Sequence, residues 1–428
     1  LANGLIIAAP RSGSGKTLVT LGIVAALRAL GRSVAPAKTG PDYIDAAFLS
    51  RAAGRPAINL DPWAMTPGRL QTLAQGHAEG ADLLVVEGVM GLFDGAADGT
   101  GSTGDLAAAL GLPVILVVDA DRQSQSIAPL VAGFANWRPN VRVAGLIVNR
   151  AASARHEAML RQALVPTGIP VLGVIPRRAE LVLPERHLGL VLPDEIAEFA
   201  AILSAAAQAV AEHIDLDQLQ ALASPLPGAG LIRPLPPLGQ HIAIARDDAF
   251  AFLYPHQLAD WRGQGAELSF FSPLADQAPD PRADAVFLPG GYPELHAQTL
   301  ANAEYFKAAL VVARDKGTLI YGECGGFMVL GESLVDKTGT AHAMTGLLPV
   351  TTRIDRPRRV LGYRRLMHDS PLPFPPRLMG HEFHYSSARA NGLEPLFAAS
   401  DALGTVLAPM GARIGRVMGS YAHVIDAA

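Results

Sequence analysis

The sequence of 428 residues contains one cysteine, Cys324. A single thiol excludes internal disulfides and any metal site built on several cysteines, and leaves Cys324 as either a buried filler or a nucleophile. Lysine is nearly as scarce: five against 30 arginines, with only Lys16 and Lys38 in the first 300 residues. Both fall in Gly-containing stretches expected to be loops, where a compact ammonium suits contact with phosphate. No apolar run approaches the ~20 residues of a membrane-spanning helix, and the N-terminus shows no basic leader pattern. The expectation is a cytoplasmic protein with no membrane partner. A net charge of -4 lacks the basic footprint of a nucleic-acid binder. Half of the residues are hydrophobic and 17% are charged, in a chain long enough for two or three domains with cores of their own.

The first half is organised around Leu5 to Thr17. Leu5 to Ala9 reads as a buried strand, Pro10 to Gly15 as a small-residue loop, and Leu18 to Leu30 as a helix stopped by Gly31. Strand, loop and helix in this order make a P-loop, in which backbone N–H groups and the helix N-terminus cradle phosphate. Lys16 would reach the outer phosphates and the Thr17 hydroxyl would sit on Mg²⁺. Pro10 stands where the motif has its first glycine, which makes the loop a variant one. Ser33 to Ala37 reads as a second strand that delivers Lys38 and the Asp42–Asp45 stretch. Asp82 to Gly88 is a buried strand ending in Glu87, at a Walker-B-like position for Mg²⁺. Both Glu87 and Asp42 are expected to be exposed charges at strand ends. Gly95 to Gly104 reads as a mobile loop, and strands are expected at Pro113–Val118, Val143–Val148 and Pro170–Val174. Asn149, just after its strand, is either an adenine contact or a turn residue. Asp194 to Ala223 reads as helical. Strands alternating with helices predict an α/β fold with a doubly wound parallel sheet and ligands at the carboxyl ends of its strands.

Residues 224–240 have the Pro/Gly composition of a linker between domains 1–223 and 241–428. Beyond it, His241–Ala245, Ala283–Leu288 and Thr318–Tyr321 read as strands. The third runs into Gly322-Glu323-Cys324-Gly325-Gly326, a nucleophile flanked by small residues at a strand-to-helix turn. Catalysis outweighs a core role for Cys324 here, and the helix N-terminus is expected to lower its pKa. Its base would be one of His381, His384 and His423.

These motifs carry a resemblance. The P-loop, Lys38-Thr39-Gly40-Pro41-Asp42-Tyr43-Ile44-Asp45 and Glu87-Gly88-Val89-Met90-Gly91-Leu92-Phe93-Asp94-Gly95 resemble ATP-dependent amidoligases related to dethiobiotin synthetase. Pro289-Gly290-Gly291-Tyr292-Pro293-Glu294 and the Cys324 motif resemble a class I glutamine amidotransferase with a flavodoxin-like α/β domain. Joined in this order, the halves are similar to the cobyrinic and hydrogenobyrinic acid a,c-diamide synthases of cobalamin biosynthesis.

The resemblance implies a ligase that amidates the a and c acetates of a corrin-type tetrapyrrole acid through an acyl phosphate, using ATP and glutamine. It implies Cys324 as nucleophile with His423 as base, and nucleotide contacts from Ser12, Gly13, Ser14, Gly15, Lys16, Thr17, Lys38 and Asn149. It further implies Mg²⁺ on Thr17, Asp42 and Glu87, the substrate or acyl phosphate near Asp45 and Asp94, and glutamine near Gly290, Gly291 and Gly325. A homodimer is left open. Arg11 stands where ATPases that dimerise around nucleotide carry a signature lysine, which counts against that assembly. The variant loop and the arginine usage favour the cobalt-free macrocycle. The alternatives are cobalt-containing cobyrinic acid, a cobyric acid synthase, and a partitioning-type regulatory ATPase.

Overall fold

In the structure, a computed structural model, residues 2–179, 181, 183, 193–230, 232, 234–390 and 392–428 are described. The chain divides into two units, Leu1–Ile232 and Arg233–Ala428. The first contains β1 (Asn3–Ala8), α1 (Lys16–Ala29), β2 (Val34–Thr39), α2 (Tyr43–Ala53), β3 (Ile58–Leu60), α3 (Pro67–Ala78), β4 (Leu83–Glu87) and α4 (Thr103–Leu110). It continues through β5 (Val114–Asp119), α5 (Ile127–Asn136), β6 (Val143–Ala151), α6 (Ala154–Leu164), β7 (Val171–Pro176), α7 (Phe199–His213), α8 (Leu216–Ala221) and β8 (Ser224–Pro225).

Among the described residues β1 to β7 form one parallel sheet in the order β3-β2-β4-β1-β5-β6-β7. Leu5, Ile6 and Ile7 are wholly buried. An apolar run without alternation suits a central strand covered on both faces, and each such side chain adds about 1.5–3 kcal/mol by leaving water. Because β1 lies between β4 and β5, the loop leaving β1 opens at the switch point of the sheet, where α/β folds hold ligands. Register then sets the neighbours: Glu87 lies beside Ile7 and Lys38, and Asn149 beside Asp119.

Helix α1 packs on α7 through Gly22, where a Cβ would lie 2.6 Å from the Ala206 carbonyl oxygen. Alanine at an exposed helical position would gain about 1 kcal/mol over glycine. Here overpacking against backbone costs about 1–3 kcal/mol and outweighs it. Gly22→Ala is therefore expected to lower the calorimetric unfolding midpoint by a few degrees; a raised midpoint would show that the two helices part freely.

The second unit contains β9 (His241–Ala245), α9 (Pro255–Gly263), β10 (Glu267–Phe271), β11 (Ala285–Leu288), α10 (Ala297–Asn302), α11 (Glu304–Asp315), β12 (Leu319–Glu323) and α12 (Gly325–Leu330). Short strands follow: β13 (Ser333–Val335), β14 (Ala341–Ala343), β15 (Val350–Arg353), β16 (Val360–Met367), β17 (Arg377–His384), β18 (Ser387–Ala390), β19 (Ala398–Ser400), β20 (Ala412–Ile414), β21 (Val417–Ser420) and β22 (His423–Ala427). The main sheet runs β10-β9-β11-β12-β21-β20, parallel except for β20. The strands β19-β16-β17-β22 form an antiparallel sheet that brings His381 opposite His423.

Several expectations change. Lys16 opens α1 and Lys38 lies inside β2, so neither sits in a loop. The loop after Glu87 stops at Ser102, because Ser102 and Asp105 form a capping box that starts α4. It is tied by the Ala96 N–H, which donates to the Thr100 carbonyl, and by the Gly99 N–H, which donates to the Ala96 carbonyl, and Gly101 lies against Trp63. The helical stretch to Ala223 breaks at Ile214, since the Asp215 carboxylate caps α8 by accepting from the Gln218 N–H. Ser224 and Pro225 pair with β1, and Leu226 N donates to the Ala2 carbonyl, so the start of the linker stretch belongs to the first unit.

Candidate active sites

The loop leaving β1 needs glycine at position 15. Gly15 has φ 82°, and a Cβ there would lie 2.2 Å from Asn149 Nδ2. Asn149 Nδ2 donates to the Ser14 carbonyl at 3.0 Å, and Arg150 Nη1 donates to the Gly13 carbonyl at 2.8 Å while pairing with Asp119 at 2.8 Å. The ends of β5 and β6 thus brace the phosphate loop from one side. Beside it lies a cavity of about 320 Å³ with Leu18, Val19, Asn149, Ile175, Pro176 and Val210 in its lining.

On the other side stands Glu87, wholly buried. Its Oε1 accepts from Lys16 Nζ at 3.0 Å and from the Thr17 hydroxyl at 2.7 Å, and lies 3.3 Å from Lys38 Nζ. Lys38 Nζ also meets Asp45 Oδ2 at 2.5 Å and the Gly88 carbonyl at 3.1 Å. Burial alone would raise the Glu87 pKa, but Lys38, Lys16 and the Thr17 hydroxyl outweigh it and bring it down to about 2. Burial alone would lower Lys38, yet Asp45, Glu87 and Asp42 hold it above the ordinary lysine range. Both groups are charged at neutral pH.

The donor set fits Mg²⁺ in part. Glu87 Oε2 is buried without a hydrogen-bond partner, on the carboxylate whose Oε1 accepts from the Thr17 hydroxyl. Among the described residues no three His, Cys, Asp or Glu side chains converge as a metal cage. Mg²⁺ on nucleotide sites takes one or two carboxylates and completes its shell with phosphate and water, so two protein oxygens suffice. Asp42 instead spends Oδ1 on capping α2, accepting from Ile44 N at 2.8 Å and Asp45 N at 3.0 Å. Asp94 Oδ2 accepts from Gly91 N at 2.8 Å and shapes the loop after β4.

In the second unit Cys324 joins β12 to α12 with φ 46° and ψ -107°. A non-glycine residue held there is strained, as a nucleophile elbow requires. Close packing makes that turn possible: a Cβ at Gly326 would lie 1.9 Å from the Leu288 carbonyl oxygen. A Cβ at Gly290 would lie 2.3 Å from His423 Cε1 and 3.2 Å from Cys324 Cβ, so both side chains converge on that glycine. Gly325 faces Gly291 N, at 3.1 Å from its own virtual Cβ.

The expected lowering of the thiol pKa is not found. Burial pushes it up, the Glu294 carboxylate adds to this, and the Gly325 N–H opposes them more weakly. Helix α12, with six residues, follows an otherwise buried thiol. His423 is brought down to about 3, by burial first and then by His381 and His384, so it is a neutral base at neutral pH. His384 stacks on Tyr421 with ring centroids 3.8 Å apart, and both it and Arg364 bond the Glu382 carboxylate at 2.8 Å.

Residues 5–191 match the CobQ/CobB/MinD/ParA nucleotide binding domain, and residues 241–428 match the CobB/CobQ-like glutamine amidotransferase domain. Hydrogenobyrinate a,c-diamide synthase of Rhizobium meliloti is 55% identical over 425 residues, covering 99% of each chain. The protein of the same name from Rhodobacter capsulatus is 51% identical over 431 residues, covering 99% of this chain and 98% of its own. The chain belongs to the hydrogenobyrinate a,c-diamide synthase family. Its first unit thus carries the family's nucleotide-binding half and its second the amidotransferase half.

Within this family frame, the structure brings Gly13, Ser14, Gly15, Lys16, Thr17, Lys38, Asp45, Glu87 and Asn149 to one end of one sheet, and Cys324, His423, Gly290, Gly291 and Gly325 to one turn of another. Ser12 lies in the same loop, where its carbonyl accepts from Arg11. Sequence reasoning missed Arg150, Asp119, Glu294 and Glu323. A carboxylate closing an otherwise apolar strand was the available signal for Asp119 and Glu323, the same signal that marks Glu87.

Gly290→Ala is expected to cut glutamine-dependent activity by about 10²-fold or more, because its methyl would displace the base. Ammonia-dependent activity should persist, since the first unit is untouched. Parallel assays with glutamine and ammonium salt check this; unimpaired glutamine use would show that His423 tolerates displacement.

Proposed function

We propose that this chain amidates the a and c acetate carboxylates of hydrogenobyrinic acid, using ATP and glutamine, in the cytoplasm where both co-substrates are made. What carries the reading is the pairing in one chain of a Lys16–Thr17–Glu87 phosphate site with a strained Cys324 beside His423. A regulatory ATPase has no need of the second.

At the first site the loop 12–17 cradles the phosphates, and Asn149 with the apolar lining of the adjoining cavity takes the adenine. Thr17 and Glu87 would hold Mg²⁺, with Asp42 nearby as an outer carboxylate. The metal, when bound, offsets charge on the phosphates. Lys16 turns from Glu87 to the outer phosphates, and Lys38, held charged by its carboxylates, faces the transferred phosphoryl group. A substrate carboxylate oxygen, placed near Asp45 and Asp94, takes the γ-phosphoryl group and ADP leaves. The product is an acyl phosphate, whose carbon is open to ammonia.

At the second site His423 takes the Cys324 proton as the sulfur attacks the glutamine amide carbon. The backbone N–H groups of Gly291 and Gly325 face the developing oxyanion. His423 returns the proton to the departing ammonia, leaving a glutamyl thioester that water hydrolyses to glutamate. Ammonia then displaces phosphate from the acyl phosphate.

Turnover of cobalt-free and cobalt-containing macrocycles side by side tests the substrate. Faster amidation of hydrogenobyrinic acid is expected, and a preference for cobyrinic acid would reverse the assignment.

A further inference from the structure

A general base needs its own orientation, and His423 sits on β22 where the next acid along, Asp426, accepts from the Ala427 N–H. A carboxyl also comes to the imidazole from β12. Glu323 is the last residue of β12, immediately before Cys324, and is buried together with His423. Its Oε2 faces His423 Nδ1 at 3.8 Å. Its Oε1 accepts from the Tyr321 hydroxyl at 2.9 Å and from the Val424 N–H at 3.0 Å, so one oxygen is fixed and the other is aimed. Catalytic hydrogen bonds are often this long in a free enzyme and tighten in the reacting complex.

We propose that Glu323 is the positioning residue of the thiol site: its carboxylate holds His423 as the Nδ1–H tautomer and leaves Nε2 to take the Cys324 proton. This rests on the Cys324–His423 reading above. The base of a nucleophilic pair is set by a third group in just this way. The other groups around the pair are otherwise engaged. Glu382 is bonded by Arg364 and His384, Glu294 acts on the thiol, and His381, directly opposite His423 on β17, brings no negative charge. Burial brings the Glu323 carboxyl up to about 8, with Val424 N–H and Tyr321 OH pulling the other way. The carboxylate that accepts from Nδ1–H therefore fills in as pH rises through about 8, and glutamate release should rise with it.

Glu323→Gln tests this in the full chain. The Val424 N–H can only donate, so it keeps the amide oxygen and turns the NH₂ towards Nδ1. That forces the Nε2–H tautomer, which cannot accept the thiol proton. The expected result is a fall of about 10²-fold or more in kcat for glutamate release. The KM for glutamine should stay within about twofold, with ammonia-dependent amidation retained and the His423 ring ¹⁵N shifts reporting the other tautomer. Tyr321→Phe keeps the carboxyl but removes one donor, so the rise near pH 8 should move to higher pH. Glutamate release by Glu323→Gln within about threefold of native, an unchanged tautomer, or an unmoved pH step in Tyr321→Phe would each overturn the proposal. Cys324→Ala assayed in parallel separates the readings: if it too keeps glutamine use, the nucleophile assignment fails, whereas if only Glu323→Gln does, the role of Glu323 fails alone.

Discussion

Cys324→Ala is expected to make no diamide from glutamine and to keep near-native synthesis from ammonium salt. The substitution removes the only thiol in the chain, so no other cysteine can stand in. Synthesis from ammonium salt should improve as pH rises, because unprotonated ammonia is the nucleophile. The surroundings of Cys324 sharpen the expectation for its partner. With burial and Glu294 pushing the thiol pKa up, little thiolate forms without a base. His423→Asn should therefore lose glutamine use nearly as fully as Cys324→Ala, rather than keep the residual activity that a helix-stabilised thiolate would allow. A plain core role for Cys324 would instead give a modest cavity-type loss of stability with both nitrogen sources affected alike.

The second large effect belongs to Glu87. Glu87→Gln should abolish amidation from glutamine and from ammonia, while glutamate release persists. From the sequence, this carboxylate reads as an exposed charge whose loss costs little stability. In the structure it is wholly buried and faces Lys16 and Lys38, so removing it leaves buried ammonium groups short of a partner. Breaking a buried pair in this way costs about 3–5 kcal/mol. The sign with pH follows from the folded pKa of about 2. The contribution of Glu87 is present above the ordinary carboxylate range and is lost as pH falls through about 2. Urea titrations of native and variant proteins at neutral pH should differ by several kcal/mol; equal midpoints would mean that Asp45 alone satisfies Lys38.

Much of the first site is legible from chain order, because in a parallel sheet each catalytic group arrives at the end of an apolar run. Leu5–Ala9, Asp82–Glu87 and Val143–Asn149 announce themselves in this way, and register does the rest. Burial at strand ends is not legible, which is why Glu87 looks exposed and Lys38 looks like a loop residue. Asp42 shows a second limit, since a carboxylate that caps a helix and one that awaits a metal read alike. In the second unit the Cys324 turn is visible through its glycines, and alternation along β12 puts Glu323 on the face of Tyr321, but its meeting with Val424 and His423 joins residues about a hundred positions apart. The pairing of His381 with His423 depends on register between β17 and β22, strands far apart in the chain. Their short, irregular neighbours carry no pattern that fixes such a register.

The most direct test of a two-site amidating enzyme uses the native chain with hydrogenobyrinic acid, ATP, Mg²⁺ and glutamine labelled with ¹⁵N at its amide. Mass spectrometry of the macrocycle and assay of released phosphate are read together. The expected product carries two labelled amides, with one ATP cleaved for each and little ATP cleaved when the tetrapyrrole is left out. Steady ATP hydrolysis that ignores the tetrapyrrole, with no label in the macrocycle, would contradict the proposed function.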